Sequence, residues 1–308
     1  GKEEIAIFCV MFFMSMGGAT GVFGNAALVL IPIGIFLSQA MGFDKTLGFF
    51  MIFFGQFAGF NVGWANAGVL GVAQAIAEVP LFSGFNARVI FHIVNFALSY
   101  SFVIFYLHQI KKDPSKSLNY EQGVKVNDIM CYQDGELGDA PVTKVQVLSM
   151  LCMVAGLAAV VIGALKFKWG ADKISATFLV VCLLIGCVSC KDINVGFNRF
   201  IKGCASTVGA AFIVGFANCL TVLMSNGMIL DTIVPIADLT GITRQVAVQA
   251  FQFGDGFTNC VIPTIGTLMG GLGFAGISYG KYLKKAMPLI LVQITLAFFT
   301  LMFLQSIG

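Results

Sequence analysis

From Phe251 to Gly276 the chain is apolar enough to cross a lipid bilayer, yet it carries Asp255, Thr258, Asn259, Pro263 and Thr264 among repeated glycines. A hydrocarbon interior offers the backbone no hydrogen-bond partners, so irregular chain survives at that depth only where it lines a protein cavity. A span with a carboxylate, an amide and a proline at its centre is therefore expected to break around a binding site, not to serve as an anchor. Interrupted helices of this kind build the midplane sites of secondary transporters.

The rest of the chain shares this character. Of its residues, 58% are hydrophobic and only 11% charged, with a mean hydropathy of +0.91, a composition outside the range of soluble globular domains. Uncharged stretches of bilayer-spanning length (~17–25 residues) occur at Val89–Leu107, Val145–Leu165, Ile174–Cys190 and Ala286–Ile307. Elsewhere Gly, Asn and Pro cut apolar sequence too often for simple helices. The net charge of +3 comes with no basic tract, so nucleic acid is not an expected partner. Nine cysteines, most within apolar segments, read as reduced packing residues. Cys187 and Cys190 have CxxC spacing but no second pair, which is too little for a metal site. There is no HExxH, no Ser–His pairing in one segment and only two histidines, so an enzyme is not expected. Residue 1 is Gly, and no cleavable leader is visible.

A polar segment, His108–Lys144, divides the sequence into residues 1–107, a first repeat, and 145–308, a second repeat with scaffold helices. The halves share a pattern. Gly42-Phe43 precedes Phe54-Gly55 as Gly241-Ile242 precedes Phe253-Gly254, and Pro32-Ile33 matches Pro235-Ile236. Each half then passes through Asn-bearing irregular chain, Asn61–Asn66 in one and Thr258–Pro263 in the other, and closes with a long apolar helix. Weak internal symmetry with corresponding interruptions points to an inverted repeat. With the 108–144 loop cytoplasmic, thirteen of the 18 Lys/Arg fall inside and five (Arg88, Lys166, Lys168, Lys173, Arg244) outside. That excess follows the positive-inside rule, although the repeat itself helped to assign several positions.

Five stretches carry a resemblance to a known family: GGATGVFGNAALVLIPI (17–33), GVAQAIAEVPLFSGFNARVIF (71–91), IKKDPSKS (110–117), NGMILDTI (226–233) and GDGFTNCVIPTIGTLMGGLGFAGISYGKYLK (254–284). The chain resembles the bacterial C4-dicarboxylate carriers and arginine/ornithine-type antiporters of the ion-transporter superfamily. The resemblance implies helical hairpins that enter the membrane and turn back, broken helices beside them, a homodimer and elevator-like alternating access. It also marks departures. Relatives have a further helix and a Ser-rich hairpin tip after the DTI segment, whereas Asp231-Thr232-Ile233 here runs almost directly into Pro235. They also have helices ahead of residue 1, so the chain is expected to be partial and to lack one hairpin arm. Asn25-Ala26 stands where many relatives carry a Glu-Glu pair, which favours an anionic or neutral substrate.

The candidate binding residues are Thr20, Asn25, Asn61, Asn66, Asp255, Thr258, Asn259 and Thr264. A carboxylate at membrane depth is costly and faces a cavity or a partner; Asp255 is a ligand for Na⁺, H⁺ or an ammonium group, or alternatively a half-helix cap. Thr258, Asn259 and Thr264 offer oxygens for a hard cation and donors for a carboxylate, and half-helix N-termini favour an anion. Asn61 and Asn66, with Gly63 and Gly68, occupy the matching break, the alternative being ordinary interhelical bonding. Thr20, Gly21 and Asn25 lie at a hairpin tip, Gly17–Ala27, and Ser225-Asn226-Gly227 is a comparable turn. Pro263 suits the first position of the second half-helix. His92 has the right chemistry for a proton relay but, alone near a helix start, reads as structural. Gly270-Gly271-x-Gly273 reads as close helix packing.

The expected fold class is an all-α polytopic membrane protein with inverted repeats, re-entrant helical hairpins and broken helices. The expected function is secondary active transport of small carboxylates, C4-dicarboxylates or amino acids, across the bacterial inner membrane. It would be coupled to Na⁺, H⁺ or a counter-substrate, with no organic cofactor and no firm metal site beyond Na⁺ at Asp255 and Asn259. The alternatives are a basic amino-acid antiporter and, from another class, a non-transporting membrane partner or sensor.

Overall fold

The computed structural model describes residues 2–23, 27–120, 171–189 and 237–307, with scattered positions within 145–163 and 194–201. The chain forms two compact units, Gly1–Gln133 with Ala210–Gly308, and Asp134–Gly209. All regular structure among the described residues is helical. In the smaller unit, α6 (Ala171–Ser189) packs Val181 against Gly156.

The larger unit is built around α3 (Lys45–Phe60), whose residues 46–59 are all buried. A helix that is apolar on every side has to be surrounded by other helices. Two glycine seams bring those neighbours close. A Cβ on Gly59 would sit 1.9 Å from the Ser15 carbonyl oxygen of α1 (Lys2–Ala19), and one on Gly18 would sit 2.1 Å from the Gln56 carbonyl. Gly34 of α2 (Ala27–Ala40) meets Gly48 in the same way. Met11 lies beside Gly55 and Ser15 beside Gly59, so α1 runs parallel to α3. Helix α2 returns antiparallel, which makes α1–α2 a helical hairpin laid along α3. Between helices of this composition, association rests on close van der Waals contact, and glycine permits it. On the remaining faces, Phe49, Phe50, Phe53 and Phe54 stack against one another and against Tyr106 and Tyr282, with centroid separations of 5.0–6.5 Å.

Helix α3 stops at Phe60. After the turn 61–66 the chain resumes as a π-helical turn, Ala67–Gly71, and α4 (Val72–Ile76). Helix α5 (Phe85–Lys112) follows. It runs past Leu107, and the polar chain beyond it folds back through a 3₁₀ turn, Pro114–Lys116, so the start of the expected loop is ordered; residues 121–144 lie outside the described residues. The second interrupted helix comprises α7 (Arg244–Asn259), a break at 260–265 and α8 (Gly266–Ala275), and the chain closes with α9 (Tyr279–Ile307). The break starts two residues later than expected, since Thr258 and Asn259 complete the last turn of α7. Pro263 lies within the break and not at the first position of α8. The tip of the α1–α2 hairpin is also shorter than expected, because Gly17 and Gly18 remain helical and serve packing. Phe23 folds back over Gly17.

Among the described residues, α5 and α9 are long and apolar enough to cross a membrane, and α2 and α3 are shorter apolar helices. Basic residues gather at two separate ends. At one, Lys285 bonds Gln109 and lies 5.4 Å from the Tyr106 ring, and Lys111 pairs with Glu3 at 2.5 Å. At the other, Arg244 bonds both oxygens of Asp238, at 3.0 and 2.8 Å, and Glu78 at 2.9 Å. These bonds hold the Asp238 carboxyl below its ordinary range.

The first end is fastened by Asp44, which the sequence reading passed over. It caps α3 by accepting from Leu47 N at 2.9 Å, and accepts from the Tyr106 and Ser117 hydroxyls at 2.5 and 2.6 Å. Its carbonyl accepts from Ser38 at 2.7 Å. Three donors on one buried carboxylate join α3, α5 and the turn at Ser117, and the Asp44 carbonyl adds α2. Asp44→Ala removes the cap and orphans two buried hydroxyls, and should lower unfolding stability in detergent by about 2–4 kcal/mol. Asp44→Asn keeps an acceptor for Leu47 and should cost about half as much. Equal melting curves for all three proteins would contradict this.

Candidate functional site

An interrupted helix exposes orphan carbonyls before the break and orphan N–H groups after it, and in a buried site each needs a partner. In the first break, Asn61 N bonds Phe57 O at 3.0 Å, and Val62 N and Gly63 N both bond Gly59 O. Phe60 O accepts from Gln252 Nε2 of α7 at 2.8 Å. Ala65 N bonds Ala19 O, the last carbonyl of α1, at 3.1 Å. Asn66 restarts the helix: its Oδ1 accepts from Val69 N at 3.2 Å, and its carbonyl accepts from Gly71 N with π-helical spacing. Gly63, at φ +57°, allows the chain to pass Gln252, which a Cβ there would meet at 2.8 Å.

In the second break, α9 supplies the caps. The Tyr282 hydroxyl donates to Cys260 O at 2.8 Å, and the Tyr279 hydroxyl donates to Val261 O at 2.6 Å. Neither tyrosine stood out in the sequence.

The two breaks touch. A Cβ on Gly256 would lie 2.4 Å from Asn61 Cα, so the last turn of α7 rests on the chain where α3 ends. The Cys260 thiol reaches Gly256 O at 3.7 Å, and its sulfur takes a hydrogen bond from the Asn61 side chain. Asn61 Oδ1 and Gln252 Oε1, both buried, have no hydrogen-bond partner among the described residues. Two amide oxygens left open at a helix crossing suit a hard cation or a ligand donor. The hairpin tip reaches the same place, since a Cβ on Gly21 would lie 2.6 Å from Asn66 Oδ1. The tip and the end of α7 thus both converge on the first break.

The expected residues divide accordingly. Asn61 and Asn66 lie in the convergence, 1% and 3% exposed. Thr20 flanks it, but its hydroxyl donates to Met16 O and Gly17 O of its own helix at 2.9 and 3.2 Å. Asp255 and Asn259, one turn apart, are hydrogen-bonded to each other and half-buried at the end of α7. Thr258 is exposed and its hydroxyl donates to Gly254 O at 2.7 Å. Thr264 is exposed in the second break. Asn25, Ser225-Asn226-Gly227 and Cys190 lie outside the described residues. Every hydroxyl that donates to its own backbone keeps its lone pairs for a ligand.

His92 is a bridge. Trp64 Nε1 donates to its Nδ1 at 2.8 Å, and its Nε2 meets Ser15 Oγ at 2.6 Å. An indole only donates, so Nδ1 is the acceptor and the proton sits on Nε2, facing Ser15. A second proton would set two N–H groups against each other. His92 therefore ties α1, the first break and α5 together in its neutral form.

A polar row on α7 also escaped the sequence reading: Gln245, Gln249 and Gln252, all at helical spacing, lead to Gly256. Arg88 of α5, 2% exposed, donates through Nε to Gln249 Oε1. An arginine at the edge of an apolar span, opposite a glutamine row, was the available signal.

Comparison with known proteins identifies the family. Residues 1–235 and 233–306 match the family model described as "DcuC: C4-dicarboxylate anaerobic carrier". The two matched stretches overlap at 233–235. The Escherichia coli (strain K12) protein named "Putative basic amino acid antiporter YfcC" is 25% identical over 346 residues, covering 94% of this chain and 68% of that protein. A Haemophilus influenzae (strain ATCC 51907 / DSM 11121 / KW20 / Rd) protein named "Uncharacterized protein" is 21% identical over 335 residues, covering 94% of this chain and 66% of its own. The chain thus spans about two thirds of the length of these relatives. No solved structure matches it. With both stretches together covering nearly every residue, the chain belongs to the C4-dicarboxylate anaerobic carrier (DcuC) family.

Proposed function

We propose that the protein is a polytopic inner-membrane secondary transporter of small carboxylates. The observation that carries this reading is the contact of two helix breaks with each other, with a hairpin tip against the first. Such interruptions survive at membrane depth only where they are buried in protein or line a cavity, and paired broken helices build the sites of secondary transporters. The exposed faces of the long helices support it: Ile90, Ile93, Phe105, Phe298, Phe299 and Phe303 are each about 60% exposed, a surface suited to acyl chains. In this reading α1–α2 is a re-entrant hairpin, α3/α4 and α7/α8 are the broken helices of two inverted repeats, and the hairpin-bearing part moves against a homodimeric scaffold. Asn61 Oδ1, Gln252 Oε1 and the Asp255–Asn259 pair are the oxygens for Na⁺, or Asp255 for H⁺.

A second reading, exchange of basic amino acids, draws on the printed name of the Escherichia coli relative; Asp255 would then receive an ammonium group. Uptake into proteoliposomes separates the two. The first reading expects labelled succinate or fumarate to accumulate, with dependence on a Na⁺ or pH gradient that Asp255→Asn removes. Accumulation of arginine against internal ornithine, insensitive to succinate, supports the second. Uptake of neither class under any gradient contradicts both and favours a partner or sensor.

A further inference from the structure

Helix α5 carries a cation that the crossing does not use. Arg88 is 2% exposed and one turn from the start of α5. Its Nε donates to Gln249, but among the described residues Nη1 and Nη2 have no hydrogen-bond partner, and neither has Nε2 of the buried Gln249. Among the described residues no carboxylate pairs with it, because Glu78 and Asp238, the acids at this end, are both held by Arg244. A buried, unpaired guanidinium is costly in any protein interior, and a membrane protein retains such a group where it meets a ligand or a counter-charge.

The residues that carry the unpaired groups line a space. A cavity of about 190 Å³ is lined by Gly84, Arg88, Thr243, Gln245, Gln249 and Leu304, among others. At ~30 Å³ per water it has room for about six water molecules, which is the scale of a carboxylate with a short carbon stem and far below that of a nucleotide. Gln245 forms a fixed wall, accepting from the Ser83 hydroxyl at 2.7 Å and donating to Ser83 O at 2.8 Å. The donors left over are the two amino groups of a planar guanidinium and one carboxamide nitrogen. A planar, doubly accepting group complements them, and guanidinium–carboxylate pairing is bidentate for this reason. From here the glutamine row of α7 leads through Gln252 to the crossing at Gly256.

We propose that Arg88, with Gln249, binds one carboxylate group of the transported acid at the Arg244 end of the molecule, one step along its path to the crossed breaks. The assignment rests on the transporter reading for the identity of the ligand, but not for the site itself.

The test uses the purified full chain in detergent, with binding of succinate, its neutral diamide, inorganic phosphate and arginine followed by calorimetry and by the shift in melting temperature. Succinate should bind and the diamide should not. Arg88→Gln should weaken succinate binding at least tenfold, and Arg88→Lys, a point charge without the fork, should fall between. Melting of ligand-free Arg88→Gln should be unchanged or higher, because the variant removes an uncompensated charge. A purely structural arginine would do the reverse, lowering the ligand-free melting temperature and leaving succinate affinity intact, and that result overturns the site. Stronger binding of phosphate or arginine than of succinate, or no binding of any of the four, also overturns it. Proteoliposomes keep the two claims apart: uptake with an unchanged KM in Arg88→Gln sinks the site alone, whereas Arg88-dependent binding without uptake by the native chain sinks the transporter reading alone.

Discussion

Protein carrying Gly256→Val should reach the membrane and take up substrate at least ~100-fold more slowly than the native chain. Gly256 is where α7 rests on the first break, and a Cβ there would lie 2.4 Å from Asn61 Cα and 2.7 Å from Asn61 Oδ1. The first of those atoms is backbone and cannot rotate away. A branched side chain must push α7 off the end of α3, and a displacement of about 1 Å would carry the Cys260–Asn61 contact and the open amide oxygens with it. Overpacking of this kind costs about 1–3 kcal/mol, enough to lower the melting temperature without preventing folding. The measurement is initial uptake rate normalised to protein in the vesicle. Gly273→Ala is the matched control: it lies in α8, and a Cβ there meets nothing within 4 Å. A helical Gly→Ala change with open space should be neutral or stabilise by up to ~1 kcal/mol. Normal uptake by Gly256→Val would mean that the contact has no part in transport.

The second large effect is on folding. Gly59→Leu should leave little folded protein in detergent, with a loss of about 3 kcal/mol or more. The space that a side chain would need holds Ser15 O at 1.9 Å and Ala19 N at 2.7 Å. Both belong to the backbone of α1, so relief requires the whole helix to move away from α3. That would also pull Ser15 from His92, and Ala19 O from Ala65 N. The reciprocal change, Gly18→Leu, meets Gln56 O at 2.1 Å and should fail in the same way. Size-exclusion chromatography and melting of the two variants check this, and native-like profiles would show that α1 is not held against α3.

What could be read from the sequence follows a physical division. The interruptions were legible at both Asn61–Asn66 and Thr258–Pro263 because Gly, Asn and Pro inside apolar chain have few uses other than breaking a helix. The long helices at Val89–Leu107 and Ala286–Ile307 were legible by length, whereas the hairpin rested largely on the family resemblance, because small residues at a turn serve a helix kink equally well. Boundaries were less so. Gly17 and Gly18 look alike as turn residues and as packing residues, and only the neighbouring Gly59 shows that they belong to a seam. Partnerships were not legible at all. Asp44 lies at a helix start like any N-cap, and its bonds to Tyr106 and Ser117 join residues more than sixty positions away. Nothing in the sequence marked Tyr279 and Tyr282 as the residues that cap the Val261 and Cys260 carbonyls in the second break. Arg88 was counted as a charge beside a span, because its burial depends on α7 packing against it. For the site, Asn61 and Asn66 were found by their pattern, but Gln252, which closes the first break from the other half of the chain, needed the fold.

Membranes bearing Asn61→Cys test the central arrangement most directly. The native Cys260 is unpaired and its sulfur is hydrogen-bonded by the Asn61 side chain, so a permeant oxidant should join positions 61 and 260 in a disulfide. Digestion and mass spectrometry should find the peptide around residue 61 linked to the peptide around residue 260, and reductant should release them. If both thiols instead stay free and alkylate separately after denaturation, while the protein is folded, the two breaks do not meet and the account fails.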